Sequence, residues 1–318
     1  MDHLDAWKYF RTHYSSTYTQ QFLKKCYQNF ADGEKLSYQN SYTLIYFIEH
    51  GKKYYDQSLI APYELQPVLL FYGMIQLMKA AILTVDPYYP QTTQVLAHGV
   101  STRKRKKSQY EFLEDEVKVQ KNGLFTYFAE KMFRMRHLEG EKFKMGGLMM
   151  RIPELHSYFY SISKDKLSYP FTSINKLTYS TSNKILDTLN LSEDGIVNYL
   201  REHSININTC SNEKGQLLFT CLKAPTPLLS SPLQYDFAKQ QFFLPANRTL
   251  YNFFPELLTH YLLLYNLSMV CRYETDWWGE LFHSFSSNDL PFICEFLEIT
   301  KQKVPYFIHL LLKNSPPN

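Results

Sequence analysis

Glycine is scarce in this sequence, and its scarcity restricts the fold. The chain has 11 glycines in 318 residues, which is about half of the usual share of roughly 7%. β-Sandwiches and β-barrels use glycine in their many turns, so this composition argues against them and favours helices. Hydrophobic residues make up 45% of the chain and charged residues 20%, which excludes a wholly disordered protein.

Cysteines and catalytic signatures are also few. The five cysteines are odd in number and no two of them have C-x-x-C spacing, which predicts neither a disulfide framework nor a zinc site. The motifs G-x-S-x-G, G-x-x-x-x-G-K-[ST], G-x-G-x-x-G and H-E-x-x-H do not occur. The sequence therefore predicts no cofactor and no metal, and it leaves open whether the protein is an enzyme.

One segment is apolar enough to raise the question of a membrane. Residues 67–85, PVLLFYGMIQLMKAAILTV, carry Gln76 and Lys79 near their middle, and each of these side chains is costly in lipid. We therefore predict a buried helix here rather than a membrane span. The first residues of the chain lack the basic and apolar regions of a signal peptide. The expected location is the cytoplasm, without contact with a membrane.

Helical periodicity is strong near both ends of the chain and weak in the middle. Apolar spacing predicts one helix or two short ones over residues 2–30, and further helices over residues 38–55, 64–83, 255–272, 278–285 and 290–312, the last with an interruption near Pro305. In the middle, Ser192 can cap a helix over residues 192–203. Two β-hairpins are predicted there. The first turns at Asn122-Gly123, and the second joins residues 204–208 to residues 216–222.

These elements predict a mainly α (α+β) fold. Its body is a helical bundle formed by the N- and C-terminal helices, with an inserted mixed region that contains two short β-hairpins. The predicted parts are an N-terminal helical part at residues 1–100, a mixed α+β middle region at residues 101–235, and a C-terminal helical part at residues 236–318. We expect the two helical parts to pack together as one continuous body.

The positive charge of the chain is concentrated in one place. Five consecutive cations, Arg103, Lys104, Arg105, Lys106 and Lys107, form a segment that we call the basic loop. Without them the chain has 29 basic and 30 acidic side chains, so the whole basic excess is local. His98 and Ser101 precede the loop, and together these residues suit contacts with phosphate. The alternative is a solvated loop that four acids just downstream neutralise: Glu111, Glu114, Asp115 and Glu116.

The helix predicted over residues 255–272 supplies a second candidate site. Tyr261, Tyr265, Ser268 and Arg272 fall within about 60° of one another on its surface. The rest of this helix is mostly apolar, which indicates burial. Arg272 would then grip a phosphate or carboxylate. Alternatively, Arg272 interacts with carbonyls of the last turn and with nearby acids.

Two segments resemble a known family. Residues 96–125, LAHGVSTRKRKKSQYEFLEDEVKVQKNGLF, and residues 258–277, LTHYLLLYNLSMVCRYETDW, are similar to the YaaC-like proteins of Bacillus and related bacteria. The resemblance covers essentially the whole chain. It implies no particular activity, because the family has none established. The predicted helical pairs also bear a loose architectural similarity to HEPN-type domains.

HEPN-type ribonucleases use an arginine followed four to six residues later by a histidine. In this sequence only Arg151 and His156 have that spacing, and about one such match is expected by chance. Pro153 lies between them and would break the helix that usually presents the pair. The spacing therefore does not predict a ribonuclease.

Three functions remain as hypotheses from the sequence. The first is a binding module for a polyanion, either RNA or a nucleotide. It would use the basic loop and the side of the predicted helix that carries Tyr261, Tyr265, Ser268 and Arg272. The second is an enzyme that acts on a phosphorylated small molecule, with His98, Tyr261, Tyr265 and Arg272 in one cleft. The third is an interaction scaffold without chemistry, whose partner is another protein or a second copy of this chain.

Overall fold

The computed structural model describes residues 6–102, 110–203, 205–247, 254–284 and 287–315. In these ranges the helices are α1 (Ala6–Thr12), α2 (Ser16–Cys26), α3 (Gly33–Ile60), α4 (Gln66–Val85), α5 (Leu124–Phe133), α6 (Met145–Met149), α7 (His156–Ser163), α8 (Lys184–Leu189), α9 (Glu193–Glu202), α10 (Glu256–Tyr273), α11 (Thr275–Ser284) and α12 (Asp289–Lys313). The strands are β1 (Val100–Thr102), β2 (Glu116–Val119), β3 (Lys142–Lys144), β4 (Ser168–Ser173), β5 (Thr178–Ser182), β6 (Ile207–Glu213), β7 (Gln216–Cys221), β8 (Gln234–Asp236) and β9 (Gln241–Pro245).

The chain folds into two compact units. The first consists of Met1–Met145 together with His260–Asn318, and the second is Gly146–Thr259. The N- and C-terminal helices therefore belong to one body, and the protein is mainly α with some β structure, as the sequence predicts. The strands form two small antiparallel sheets of three and six strands, where the sequence predicts two short hairpins. The units divide the chain after residue 145 and before residue 260, whereas the sequence placed its divisions after residues 100 and 235.

Helix α4 is the centre of the first unit. Pro67 stands in its first turn, where a missing N–H costs nothing, and the helix ends just before Asp86-Pro87, as predicted. It packs against α3, α5 and α12. By length and composition α4 could cross a membrane, and 67% of its most apolar stretch is buried inside the protein. A helix that is apolar on nearly all sides can be covered in this way by its neighbours.

Helix α12 runs without interruption through Pro305, so the predicted interruption is wrong. Proline removes one helical hydrogen bond, but Val304, Pro305 and Phe307 are all buried here. Packing of α12 against α4 and α1 holds this part of the helix. Tertiary contacts thus outweigh the local preference of the proline.

The three-stranded sheet of the first unit shows that the first predicted hairpin is wrong in its second arm. Strand β2 pairs with β1 and β3 instead, in the order β1-β2-β3. The chain after Gly123 forms α5, because a short apolar run such as LFTYF suits a helix as well as a strand. Gly123 has φ 140° and ψ 179°, which is not the left-handed conformation of a hairpin turn.

The second unit contains a six-stranded antiparallel sheet in the order β6-β7-β5-β4-β9-β8. Its core combines the inward side chains of the sheet, among them Phe171 and Phe219, with Ile196 and Leu200 of α9. Ser192 accepts a hydrogen bond from the backbone N–H of Gly195 and caps α9, as predicted. The second predicted hairpin is confirmed as β6-β7, although β6 extends further along the chain than predicted.

Candidate functional site

The backbone around His98 is held by three contacts within the first unit. The N–H groups of Leu124 and Phe125, at the start of α5, donate to the carbonyls of Ala97 (2.7 Å) and His98 (3.2 Å). These are two of the helix N–H groups that have no intrahelical acceptor. The hydroxyl of Tyr261 donates to the same carbonyl of His98 at 2.8 Å. The contacts bring α10 and the start of α5 to the segment that carries His98.

The His98 imidazole lies among aromatic rings from two helices. Its ring centroid is 5.1 Å from that of Phe71 and 6.4 Å from that of Tyr72, both on α4. On α10, the ring of Tyr265 lies 5.7 Å away. His98 is half-buried, and its ring nitrogens have no hydrogen-bond partner among the described residues. The imidazole is therefore enclosed and still able to bond a ligand.

Burial, and then the charges of Arg272 and Lys79, lower the pKa of this histidine. Arg272 lies at the end of α10 and Lys79 lies on α4, and both are half-buried. Neither forms an ion pair with a carboxylate in the part of the chain that the structure describes. Arg272 donates from Nε to the carbonyl of Ser268 in its own helix at 2.9 Å. This is the contact with a last-turn carbonyl that the sequence offered as an alternative to ligand binding. The ion pairs of that interpretation, with Glu274, Asp276 or Glu280, are absent among the described residues. We call His98, Tyr72, Lys79, Tyr265 and Arg272 the His98 site.

The predicted residues on α10 have different roles. The Tyr265 hydroxyl makes no hydrogen bond among the described residues, whereas that of Tyr261 is bound to His98. Ser268 is fully buried and donates to the carbonyl of Tyr265 at 2.8 Å. Tyr261 and Ser268 therefore fix the backbone, while Tyr265 and Arg272 can meet a ligand. Burial raises the pKa of Tyr265, and the charge of Arg272 partly offsets that effect.

The basic loop, residues 103–107, lies outside the described residues. Ser101, just before it, accepts a hydrogen bond from Gln120 Nε2 at 2.6 Å. Two of the four acids that could neutralise the loop have other partners: Glu114 pairs with Lys144 at 2.8 Å, and buried Asp115 accepts from Asn266 at 2.9 Å. Fewer carboxylates are therefore available to neutralise the basic loop than the sequence suggests.

Lys79, Phe71 and Tyr72 were not among the predicted site residues. The sequence carries one signal for them, the single cation within the mostly apolar segment 67–85. A lysine at such a position needs a partner or a polar opening. Burial lowers the pKa of Lys79, which agrees with a position partly out of water.

Arg151 and His156, the pair with ribonuclease spacing, lie in the second unit and do not form a catalytic pair. One ring nitrogen of His156 is 2.7 Å from the Ser168 hydroxyl, and the other is 2.9 Å from the carbonyl of Met150. Both nitrogens are thus bound within the protein. Among the described residues, no three His, Cys, Asp or Glu side chains are placed to hold a metal ion.

The pKa of His98 should be measurably low. Burial lowers it from its usual 6.5, and the charges of Arg272 and Lys79 lower it further. Since the unfolded chain holds this proton more tightly, the free energy of unfolding should fall as the pH drops through 6.5 and level off below the folded pKa. NMR titration of the imidazole should show a higher pKa in Arg272→Met and no change in Arg136→Met, whose arginine pairs with Glu130 at the surface. An unchanged pKa in Arg272→Met would mean that this charge does not act on His98.

The fold and the site together define a mainly α protein with an enclosed cluster of aromatic rings and two cations that have no carboxylate partner among the described residues. A sequence model of the YaaC-like protein family matches residues 11–312, nearly the full chain. The chain therefore belongs to the YaaC-like family, as its two characteristic segments predicted. The comparison with curated proteins and the comparison with solved structures gave no match. The family match assigns no activity, and the similarity to HEPN-type domains stays a prediction.

Proposed function

We propose that the protein binds a nucleotide at the His98 site, either free or as a unit of RNA. The observation that carries this proposal is the pair of half-buried cations, Arg272 and Lys79, that have no carboxylate partner among the described residues. Removing a charge from water without a counter-charge is costly. A phosphate group would supply that counter-charge, and the guanidinium fork of Arg272 matches phosphate oxygens.

The aromatic rings of the site suit the base of such a nucleotide. Tyr72 and His98 are half-buried rather than covered, so part of each ring remains accessible for a base to stack on. The Tyr265 hydroxyl and the His98 imidazole have free hydrogen-bonding capacity among the described residues. A ligand with both a phosphate and a flat ring would use all of these groups.

The basic loop extends the same positive region along the chain. Arg103 follows His98 by five residues in the sequence. A single-stranded RNA with one unit in the His98 site could place neighbouring phosphates near these cations. A free nucleotide would not reach all five. This difference separates the two sources of the ligand.

Equilibrium titrations with AMP, inorganic phosphate and a short single-stranded RNA test the proposal. AMP should bind more tightly than phosphate by about tenfold or more, since base stacking contributes roughly 1–3 kcal/mol. RNA binding should weaken steeply with salt, and changing all five loop cations to alanine should flatten that slope. AMP binding should change little in the loop variant.

The outcomes separate the parts of the proposal. An unchanged RNA affinity and salt slope in the loop variant would remove the loop from the function. RNA binding that depends on the loop but not on Arg272 would move the site away from His98. If AMP, phosphate and RNA all fail to bind at low salt, the proposal is wrong.

A second candidate is an enzyme that acts on a phosphorylated small molecule at the same site. It is favoured by the unbonded imidazole of His98, whose lowered pKa keeps it neutral near pH 7 and able to accept a proton. Arg272 would stabilise negative charge as it develops. His98→Gln distinguishes the two functions. An enzyme should keep ligand affinity and lose turnover, whereas a binding module has no turnover to lose.

A further inference from the structure

The second unit contains a small cavity with an unusual lining. Its volume is about 20 Å³, whereas one water molecule needs roughly 10–15 Å³ measured in this way. The polar side chains that line it are Arg151, Gln234, Ser231 and Glu256, and the remaining wall is largely proline and leucine. The cavity is thus large enough for one water molecule or one monoatomic ion.

Arg151 is a buried cation with incomplete bonding. Only 6% of it is exposed. Nη2 donates to the carbonyl of Phe254 at 2.6 Å, and the guanidinium lies 4.1 Å from the ring centroid of Phe254. Nε and Nη1 have no hydrogen-bond partner, and no carboxylate among the described residues forms an ion pair with the side chain. Burial lowers the pKa of Arg151 to about 10, so it remains charged at neutral pH.

Gln234 on β8 lines the same cavity, and its polar atoms are also unbonded among the described residues. It is 6% exposed, and neither Nε2 nor Oε1 has a hydrogen-bond partner among the described residues. Either orientation of this amide presents one N–H donor group to the cavity. Two unrelated side chains therefore leave buried donors unbonded at one place, and buried donors are rarely left so.

The start of α10 adds a third source of positive potential. Phe254, Pro255 and Glu256 line the cavity, and the helix begins at Glu256. The first N–H groups of a helix have no intrahelical acceptor, and the helix dipole is positive at this end. The Glu256 carboxylate opposes an anion, yet it does not pair directly with Arg151 in the structure and has other interactions.

We propose that this cavity binds a single halide ion, chloride in ordinary solution, between Arg151 and Gln234 at the start of α10. A halide accepts hydrogen bonds from several donors at once and needs no directional lone pair. It neutralises the buried guanidinium, which a water molecule does not. The apolar part of the wall suits a weakly hydrated ion. This site is separate from the His98 site and does not depend on the proposed function.

The test is the melting temperature of the full chain in sodium gluconate, with chloride or bromide replacing gluconate at constant ionic strength. Halide should raise the melting temperature in a saturable way. The rise should be about 2–4 °C when the halide concentration is about ten times the dissociation constant. Gln234→Leu should weaken halide affinity by about tenfold. Glu256→Gln should strengthen it by removing a like charge. Bromide in crystals should give an anomalous peak beside the Arg151 guanidinium.

Two controls locate the ion. Arg201→Met removes an arginine of the same unit that bonds to the carbonyls of Ile207 and Asn208 and does not line the cavity, so the halide response should persist. Arg272→Met should also keep it, and its loss there would place the ion at the His98 site and overturn this proposal. No halide response in the wild type, or an equal response in Gln234→Leu, would overturn it as well. None of these measurements uses an Arg151 variant, so the test stands even if Arg151→Met does not fold.

Discussion

Replacing Gly123 by alanine is expected to lower the melting temperature by about 10 °C. A Cβ atom on Gly123 would lie 2.3 Å from both Cα and N of Gly99 and 2.9 Å from the carbonyl oxygen of Ala97. All of these are backbone atoms, so no side chain can move aside. The φ of 140° adds strain for any residue with a side chain. Strain and displaced backbone together cost roughly 3–5 kcal/mol.

The same substitution should weaken ligand binding, because the displaced backbone carries His98. Thermal unfolding and AMP titration of the variant check both effects. The matched control is Gly279→Ala in α11, where a Cβ meets nothing within 4 Å. That change should leave the melting temperature equal or raise it slightly, since alanine favours a helix by up to about 1 kcal/mol. A melting temperature within about 2 °C of wild type in Gly123→Ala would show that the two backbone segments do not approach this closely.

Replacing Arg272 by methionine should abolish ligand-induced stabilisation while changing the empty protein little. The side chain has no carboxylate partner among the described residues, and its Nε bond goes to a carbonyl of its own helix. Losing that bond costs about 1 kcal/mol, which corresponds to less than about 4 °C. In the wild type, AMP at about 100 times its dissociation constant should stabilise by roughly 2.7 kcal/mol. AMP affinity in the variant should fall by about tenfold or more, as for other charged hydrogen bonds.

Two further variants sharpen this result. Arg272→Lys keeps the charge and loses the planar fork, so it should recover only part of the affinity. Arg136→Met removes a surface arginine paired with Glu130 and should leave binding unchanged. A much lower melting temperature in soluble Arg272→Met would show that this arginine is a structural member of an ion pair. Arg272 would then no longer be assigned to the His98 site.

The helices could largely be predicted because their signals are local. The apolar spacing of α10, the proline in the first turn of α4 and the Ser192 cap of α9 each act within a few residues. The failures came where local signals were ambiguous. Asn122-Gly123 suggested a turn, but Gly123 is needed for close contact with Gly99, which lies 24 residues earlier in the chain.

The sequence by itself determined the family, the mainly α class and two halves of the candidate site, because composition, periodicity and motif are properties of neighbouring residues. Only the tertiary structure decided which of those residues meet. His98 and Arg272 are far apart in the chain, and the hydrogen bond from Tyr261 holds the segment of His98 against α10, the helix that ends near Arg272. Lys79 joined them because α4 packs in the centre of the unit. Burial and pairing of a charge depend on atoms from distant segments, so no local pattern could reveal that these two cations lack a carboxylate partner in the part of the chain described.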